Sequence, residues 1–575
     1  MEIKKFGWAS MICAAIVMGS GLTSCSDDDN TGNGNTEEPK VIYDGTTAVS
    51  EGILFNKGTE LGSGDQEFVF TGDVTLEKGT YLLKGWVYIA SGAKLRIPAG
   101  TIIKGDKQTK AALIVEPGGY VEMKGTKEAP IVMTSEEAPG NRKPGDWGGL
   151  IICGKAKNNE GTKQIEGGPR TTFGGDNDSD NSGIYQYIRV EFAGYPFKTD
   201  QEINGITFGS VGSGTTIDHL QVSYSNDDSY EWFGGTVNCR YLVAYKGWDD
   251  EFDTDNGFSG TVQYCLSIRD PRIADTSQSN GFESDNNASG TETAPFTTAT
   301  FKNITFIGPK TALNTDFANT SDYITGGSAY PDNGSKLGKF QSAMQIRRSS
   351  RLNCENSLAV GYPIGLIIDG EKGNTPKYAK EGGFTLKNII FAGMDIIGSD
   401  GNKIYEDHLS ADGKNITDGS RISFSHEFFV NDGSLGTTYA NSINNAVKSE
   451  SELGLTDPMN IGQKYCPASI LSDGNNGYIG AFKDANDDWM KGWTNFDPQN
   501  TVYYLNGNPV RGYSDKNSLY QDKIITHSDT GCFFYFKNKT NRDKSTGNQS
   551  LTAKKAPVGS PFPTATGIPV NRIRE

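Results

Sequence analysis

Short apolar segments that recur at a nearly constant interval constrain this chain more than any other feature. From about residue 77 onwards, bursts of aliphatic and β-branched residues alternate with turns rich in Gly and Pro. Leu113 follows Val87 by 26 residues, and Ile131 follows Ile102 by 29 residues. Three short strands per repeat of this length are what one coil of a parallel β-helix requires, because each wall of the coil takes one strand. The period therefore predicts a parallel β-helix.

The pattern assigns the chain to the all-β class, with a single solenoid that carries inserted loops and small capping elements. The 72 glycines and the 35% of hydrophobic residues also argue against a large helical core. Polar segments at about 310–340 and 395–425 interrupt the period and are interpreted as loops between coils. The predicted boundaries are a signal peptide at 1–24, an acidic tether at 25–45, an N-terminal cap at 46–80, the β-helix at 80–430, a C-terminal cap at 430–500 and a polar extension at 501–575.

Within the C-terminal cap, the spacing of Tyr439, Ile443 and Val447 predicts a short helix in residues 437–453.

The first thirty residues predict export. Lys4 and Lys5 precede a mostly apolar run that is too short to span a bilayer, which is typical of a cleaved signal peptide. Leu22-Thr23-Ser24-Cys25 resembles the lipobox of bacterial lipoproteins, which implies that Cys25 is lipidated. The acidic run that follows resembles the export tag of Bacteroidetes lipoproteins, which implies an outer-membrane anchor with the protein facing the cell exterior. The alternative is an ordinary signal peptide with a chance cysteine.

Several longer motifs resemble Bacteroidetes surface proteins that contain a right-handed parallel β-helix of the pectate-lyase-like type. These motifs are residues 124–135 (KGTKEAPIVMTS), 145–150 (GDWGGL), 280–286 (NGFESDN) and 492–498 (GWTNFDP). The resemblance covers about residues 80–500 and implies the fold and the location far better than an activity. Members are often labelled "multidrug transporter", a label that does not fit a tethered chain in which we find no membrane span.

The net charge and the cysteine spacing limit which binding partners and metal sites the sequence predicts. A net charge of −16 disfavours nucleic acid, because phosphate binding needs a basic face. Beyond Cys13 and Cys25, the cysteines are far apart and form no CxxC pair, so the sequence indicates neither a zinc site nor a redox motif. They are either disulfide partners or buried free thiols.

Acidic residues repeat in the middle coils at the interval of a coil. Residues 227–231 align with 249–253 at an offset of 22, and 252–256 align with 282–286 at an offset of 30. If each offset is one coil, the acids stack about 4.8 Å apart in two neighbouring columns. The first column holds Glu231, Asp253 and Glu283, and the second holds Asp255 and Asp285.

Stacked carboxylates repel each other, so something must compensate for their charge. Three answers stay open, namely a bound cation such as calcium, shared protons with raised pKa values, or arginine partners. Arg240, Arg269 and Arg272 lie in the same coils and are the candidate partners. A second acidic segment, residues 176–181, departs from the EF-hand pattern and is interpreted as a solvated loop rather than a calcium loop.

An enzyme is chemically possible in the same coils. Asp227, Asp228, Asp249 and Asp250 could supply the two carboxylates of a glycoside hydrolase. A polysaccharide lyase would instead need calcium and a basic residue, for which Arg269 or Lys246 would be the candidate. Paired Asp residues at strand ends are also common turn formers, so the sequence leans towards a non-catalytic role and commits to no catalytic residue.

Aromatic residues crowd the acidic coils. Tyr230, Trp232 and Trp248 are predicted to bind a ligand, since flat rings beside carboxylates suit a sugar-binding groove. Aromatic stacks also fill β-helix cores, and that alternative stays open.

These features lead to one functional hypothesis and two rivals. The hypothesis is non-catalytic capture of an extracellular nutrient, a glycan or a peptide, for an outer-membrane importer of the TonB-dependent kind. The first rival is a β-helix polysaccharide lyase or glycoside hydrolase, and the second is a surface adhesin.

Overall fold

The computed structural model describes residues 41–43, 48–50 and 60–503, except 67, 198–201, 311–315, 321–323, 325–337, 402–422, 435, 455–476 and 485. The predicted signal peptide, Cys25, Cys466, Cys532 and residues 504–575 lie outside the described residues. No helix in the described ranges is long and apolar enough to cross a membrane.

The chain forms a right-handed parallel β-helix, as predicted, in which successive coils stack through parallel strand pairs. Leu113 lies opposite Val87 and Val121 opposite Leu95, which confirms the offset of 26. Ile102 lies opposite Val132, one residue later than the aligned sequence bursts suggested.

One wall, sheet A, contains thirteen strands, of which the first two in sheet order pair antiparallel at its edge. In sheet order they are β2 (Ala48–Ser50), β1 (Val41–Tyr43), β4 (Phe68–Phe70), β7 (Trp86–Ile89), β10 (Ala112–Val115), β13 (Gly149–Cys153), β17 (Ile206–Val211), β19 (Tyr230–Gly235), β21 (Phe252–Asp255), β23 (Phe282–Ser284), β25 (Ser342–Ile346), β28 (Ile364–Ile368) and β31 (Ile396–Ser399). Strand β1 therefore lies inside the predicted tether, and β2 lies inside the predicted N-terminal cap.

The other walls form sheet B, whose eighteen strands are short pairs in the outer coils and single bent strands in the middle coils. They are β3 (Glu60–Leu61), β5 (Asp73–Thr75), β6 (Thr80–Leu83), β8 (Lys94–Pro98), β9 (Ile102–Gly105), β11 (Tyr120–Lys124), β12 (Ile131–Ser135), β16 (Gly183–Glu191), β18 (Thr216–Ser223), β20 (Cys239–Tyr245), β22 (Thr261–Ile268), β24 (Thr300–Ile307), β26 (Asn353–Glu355), β27 (Leu358–Val360), β29 (Leu386–Lys387), β30 (Ile390–Ala392), β32 (Ser442–Ile443) and β33 (Ala446–Lys448). A separate hairpin joins β14 (Lys163–Gln164) and β15 (Thr172–Phe173).

From β16 onwards, sheet B bends at one residue per coil, and that residue has a left-handed backbone. A positive φ is uncommon for residues other than Gly, and Asn tolerates it best. The last four of these coils place Asn at the bend, whereas the first four place aromatic rings that stack on one another, with centroids 4.4 to 5.1 Å apart. The bend residues are Tyr187, His219, Tyr241, Tyr264, Asn303, Asn356, Asn388 and Asn444.

The interior is filled by apolar side chains, including a stack of aromatic rings. Trp232 lies 5.3 Å from Phe208 and 5.4 Å from Phe258, measured between ring centroids. Tyr230 joins the same stack, and its hydroxyl donates to the carbonyl of Leu220 at 2.9 Å. Four cysteines, Cys153, Cys239, Cys265 and Cys354, are buried free thiols, which fits the second of the two alternatives left open for them.

Within the described ranges, three helices interrupt the strands, namely α1 (Thr375–Glu381), α2 (Phe424–Val430) and α3 (Glu450–Leu453). Helix α2 packs against the last coils, where Phe429 stacks on Phe391 with ring centroids 4.0 Å apart.

The helix predicted within residues 437–453 is wrong over most of its length. Residues 442–448 instead add β32 and β33 to sheet B, and α3 is a single turn. Pairing with the preceding coil overrides the apolar spacing, and Asn444 has a φ of 54°, which ends any helix there.

Residues 477–503, here called the strap, return along the outside of sheet B instead of covering the end of the solenoid. The strap begins beside Asn303, whose side chain donates to the carbonyl of Tyr478 at 2.6 Å. It ends several coils earlier, where the Tyr503 hydroxyl donates to both carboxylate oxygens of the buried Glu191, at 2.6 and 2.8 Å. The prediction of one cap over 430–500 is therefore wrong for this segment, because outward apolar side chains of sheet B supply a better surface for its aromatic residues.

The buried aromatic stack predicts a large loss of stability when a ring is removed. We expect Trp232→Ala to lower the free energy of unfolding by about 3–5 kcal/mol, since it leaves a cavity that the coil cannot close. Chemical denaturation measures the change. Val447→Ala, at a position that is 49% exposed, is the control and should change it by less than about 0.5 kcal/mol. Equal effects of the two substitutions would contradict this account.

Candidate functional site

The strand register brings the predicted acids together on the outer face of sheet A. Glu231 lies opposite Asp253, and Asp253 lies opposite Glu283, which confirms the first column. Asp255 follows in the same strand as Asp253, and Asp285 comes directly after β23, so the second column lies beside the first. The inward neighbours of these acids fill the core, because side chains alternate between the two faces of a strand.

A ladder of hydrogen bonds fixes the turn that precedes these strands. Oδ1 of Asp228 accepts from the backbone N–H of Asp250 at 2.8 Å, and the Asp250 carboxylate accepts from the N–H of Asn280. Asn280 in turn accepts from the N–H of Ser342 at 3.0 Å. One oxygen of Asp228 and one of Asp250 are therefore committed to the backbone, which gives these two acids a structural role in any case.

Arginines neutralise one end of the acidic columns. Arg347 contacts Glu283 and donates from Nε to Oδ1 of Asp285 at 2.9 Å, and Arg348 donates to Oδ2 of Asp285 at 2.6 Å. Asp285 is only 4% exposed, and two guanidinium groups bind its carboxylate. The arginine answer thus holds for this end of the columns.

The sequence suggested the wrong arginines for this role. Arg240 pairs with Asp218 on sheet B, at 2.7 Å. Arg269 is fully buried and pairs with Glu251 at 3.1 Å. Arg272 forms a long ion pair with Asp316 at 3.8 Å, so none of the three forms an ion pair with the columns. The true partners were missed because they follow Asp285 by 62 and 63 residues, across an insertion that hides the period.

The opposite end of the columns holds two groups of three carboxylates that could each share a cation. Asp227, Asp228 and Asp249 form one group, and Asp228, Glu231 and Asp253 form the other. Within each group the nearest oxygen atoms all lie within 4.8 Å of one another. The two groups share Asp228, and we call them together with the surrounding loop residues the acidic cleft.

Some oxygen atoms in the acidic cleft are enclosed and have no hydrogen-bond donor among the described residues. They are Oδ1 of Asp249, Oδ1 of Asp253 and Oδ1 of Asn204. Asn204 is fully buried, and its amide nitrogen donates to the carboxylate of Glu231, so its side chain reaches into the cleft. Enclosed oxygens without donors are costly, and a cation or a water can satisfy all three, whereas a proton can satisfy only the two carboxylates.

Loops from other coils complete the cleft with acids that the sequence analysis missed. Glu166 lies in the segment between β14 and β15 and shares a hydrogen bond with Glu231. The charges of Glu202 and Asp275 raise the pKa of Asp227. The hairpin packs on sheet A through Phe173, whose ring lies 6.0 Å from that of Phe233. No periodic pattern could have found these residues, because insertions do not follow the repeat.

Burial and mutual repulsion raise the pKa values of these carboxyl groups. Burial, followed by the charge of Asp275, raises the pKa of Asp249 to about 7. Burial and the charge of Asp285 raise the pKa of Asp255 to about 6. Burial raises the pKa of Glu283 to about 8, although Arg347 opposes the shift.

The effect is stronger in the groups of three. Burial and neighbouring carboxylates raise the pKa values of Asp227, Asp228, Glu231 and Asp253 well above the ordinary range. Burial and Asp249 do the same for Asp250.

The predicted aromatic ligand contacts are wrong. Tyr230 and Trp232 are fully buried in the core, because they share the inward face of β19, and Trp248 is 1% exposed. None of them can stack on a ligand at the surface. The open alternative, that these rings fill the β-helix core, holds for Tyr230 and Trp232.

The two basic residues suggested for a lyase are both held in ion pairs, so neither is available as a catalytic base in the cleft. Arg269 is committed to Glu251 inside the protein. Lys246 pairs with Asp270 at 3.1 Å.

Residues 176–181 form a loop held by local bonds. Asp178 pairs with Lys157 at 2.7 Å, and Asp180 accepts from the N–H of Lys155 at 3.1 Å. Both contacts fit the interpretation as a solvated loop.

The raised pKa values predict a specific pH dependence of stability. A carboxyl group whose folded-state pKa lies above its unfolded value of about 4 stabilises the fold below that pH, and the contribution is lost as the pH rises through the folded value. For these acids the loss spans about pH 4 to pH 8.

Asp253→Asn removes one of the repelling charges, so we expect its Tm relative to the natural protein to increase steadily from about pH 5 to about pH 8 in EDTA. Calorimetry measures both proteins. Glu122→Gln, which removes an acid paired with Lys124 on the outer face of sheet B, is the control and should show no such trend. A difference that shrinks as the pH rises would refute the charge account.

Comparisons with known proteins locate the chain within a family. No curated protein matches it. Among solved structures, the crystal structure of the Dettilon tailspike protein (gp208) is similar over 57% of this chain and 62% of that chain, with 10% identity and a TM-score of 0.25. The match thus spans less than two thirds of the tailspike chain.

The family model of the pectate-lyase-like beta-helix domain matches residues 68–423. These residues include every coil from β4 to β31 and the whole of the acidic cleft. Because the match spans more than half of the chain, the protein belongs to the family of pectate-lyase-like beta-helix domains.

Proposed function

We propose that the protein captures a neutral extracellular glycan through calcium held in the acidic cleft. The observation that carries the proposal is the pair of carboxylate groups that share Asp228, with nearest oxygens within 4.8 Å of one another. Calcium takes six to eight oxygen ligands, from carboxylates, amide carbonyls and water. Asn204 supplies a buried amide oxygen without a donor beside Glu231, which is the kind of ligand that completes such a shell.

The excess of negative charge favours a cation over protons alone. Among the described residues, the basic side chains whose charges lower the pKa values of the cleft acids are Lys163, Arg269, Arg347 and Arg348. The acids outnumber them about threefold; they are Glu166, Glu202, Asp227, Asp228, Glu231, Asp249, Asp250, Asp253, Asp255, Asp275, Glu283 and Asp285. A divalent cation relieves this repulsion more effectively than partial protonation at neutral pH.

The excess of carboxylates over basic side chains also indicates which class of glycan can bind. An anionic polysaccharide would be repelled by the carboxylates that a bound calcium leaves uncompensated. Two neighbouring hydroxyls of a neutral sugar can replace water on calcium without adding charge. A lyase acting on uronates would also need a basic residue, and Arg269 and Lys246 are both committed elsewhere.

The location and the partner extend the proposal. If Cys25 carries a lipid, the β-helix is tethered to the outer membrane and faces the medium, where a captured glycan could pass to a TonB-dependent importer. This location is supported by the lipobox-like segment and by the acidic run that follows it, both of which lie outside the described residues. An adhesin would bind the glycan on the same surface without passing it to an importer. Loss of growth on the glycan after deletion of the gene would favour nutrient capture over adhesion.

A glycoside hydrolase is the second candidate, and one observation favours it. Asp249 has a pKa of about 7 and belongs to the same group of three as Asp227, so a proton donor and a second carboxyl group lie close together. Hydrolases use such a pair, one group as acid and the other as nucleophile or base.

The calcium site predicts a change of stability that depends on Asp253. Calcium added to the EDTA-treated protein should raise its Tm, because a ligand bound by the folded state alone stabilises it. Asp253→Asn should remove most of that rise while leaving a stable fold, since the lost charge also relieves repulsion. Titration calorimetry and thermal unfolding measure both effects, with Glu122→Gln as the matched control. A rise of equal size in Asp253→Asn would rule out this site.

Activity assays separate the two candidates. A binder should retain neutral oligosaccharides more strongly in calcium than in EDTA, and Asp253→Asn should abolish that difference, without new reducing ends being produced. A hydrolase should produce reducing ends, and Asp249→Asn should lower that rate by about a hundredfold or more, because general acid catalysis contributes at least that much.

A further inference from the structure

A second depression lies on the outer face of sheet B, on a different wall from the acidic cleft. Its volume is about 430 Å³, which falls within the range of about 300–1,000 Å³ typical of small-molecule sites. It spans three successive coils, β18, β20 and β22, near the start of each strand. Asp218, Arg240 and Gln263 lie side by side in register across it. Thr216, Asn238 and Thr261 form the parallel row along its edge.

The depression carries no net charge from these residues. Arg240 donates from Nε and Nη2 to Oδ2 of Asp218, at 3.0 and 2.7 Å. The other oxygen of Asp218 contacts His219, so the carboxylate is fully engaged. The pair therefore offers neither a free anion for a metal ion nor an uncompensated cation for an acidic group.

The remaining polar groups have hydrogen-bonding capacity to spare. Asn238 uses its Oδ1 to accept from the N–H of Thr261 at 2.9 Å, which leaves its amide hydrogens available. Gln263 donates to Asn303 at 3.3 Å and keeps its carbonyl oxygen. Within the described part of the chain, the hydroxyls of Thr216 and Thr261 and the Nη1 group of Arg240 make no hydrogen bond to another side chain. Donors and acceptors thus face the depression together.

We propose that this depression is a binding site for a neutral glycan that does not depend on calcium. A sugar hydroxyl both donates and accepts, and it matches a surface that presents both kinds of group without net charge. Three coils in register repeat these groups along the solenoid axis, so the site suits an oligosaccharide lying across the coils. The site is independent of the acidic cleft, which lies on sheet A.

Two isosteric substitutions test the site. Thr216→Val together with Thr261→Val removes both free hydroxyls and keeps the side-chain shape, so the fold should be unchanged. The probes are neutral hexasaccharides of glucose, mannose, galactose and xylose, and hexagalacturonate is the charged comparison. Saturation-transfer NMR and titration calorimetry, both in EDTA, report binding to the full chain.

We expect at least one neutral hexasaccharide to bind, and the double substitution to weaken it about tenfold or more. Thr75→Val, at an exposed position elsewhere on sheet B, is the matched control and should leave the Kd within about twofold. If the double variant loses its native Tm, Thr216→Ala alone serves instead and should weaken binding at least threefold.

Three results would overturn the proposal. They are no binding of any neutral hexasaccharide, equal binding by the double variant, or binding of hexagalacturonate alone. Because the measurements are made in EDTA, none of these results depends on calcium in the acidic cleft. Conversely, a failed calcium titration would leave this site unaffected.

Discussion

Parallel backbone pairing between coils is the interaction on which the rest of this structure depends. Each coil lies about 4.8 Å from the next, so a residue at one position of a coil meets the residue at the same position of its neighbours. The chain gains backbone hydrogen bonds and a continuous core from this arrangement, and it must accept whatever side chains the register stacks. Stacking is favourable for aromatic rings and amides, as at Tyr187, His219 and Asn356 in the bend column of sheet B. For carboxylates it is unfavourable unless another group compensates.

The acidic columns show two different compensations at their two ends. At Asp285 the compensation is built into the chain, because Arg347 and Arg348 fix the carboxylate from two sides. In the described structure, no arginine forms an ion pair with the carboxylates around Asp228. Burial and the repulsion between these carboxylates therefore raise the pKa of Asp228. A fold that needed only stability could place an uncharged side chain at these outward positions, as it places Thr207 and Gln345 at the ends of the same column. The retained repulsion on this outer face is the reason for the proposal that a cation binds there.

The sequence predicts the parts of this molecule that repeat. The period identified the β-helix, and the offsets of 22 and 30 identified the stacked acids, because both follow from one residue count per coil. Alternation could also have excluded the aromatic contacts, since Tyr230 and Trp232 flank Glu231 and must point to the opposite face. Glu166 and Arg347 reach the site across insertions of different length, and no count along the chain relates them to Asp228. The strap escaped prediction for a similar reason, since its contacts join residues about 310 positions apart.

What covers each wall determines where a ligand can approach. On the outer face of sheet A, the hairpin of β14 and β15 packs beside the acidic cleft through the contact of Phe173 with Phe233. The outer face of sheet B is covered by the strap over the later part of each strand, where Trp493 packs against His219. In the described structure, the earlier part of those strands, before the bend, carries the neutral depression, where the side chain of Arg240 is exposed. The acidic cleft on sheet A and the neutral depression on sheet B therefore differ in charge and lie on different walls of the solenoid. If both proposed sites bind glycan, they can engage one long polymer at two points on different walls, which raises the overall affinity without further contacts.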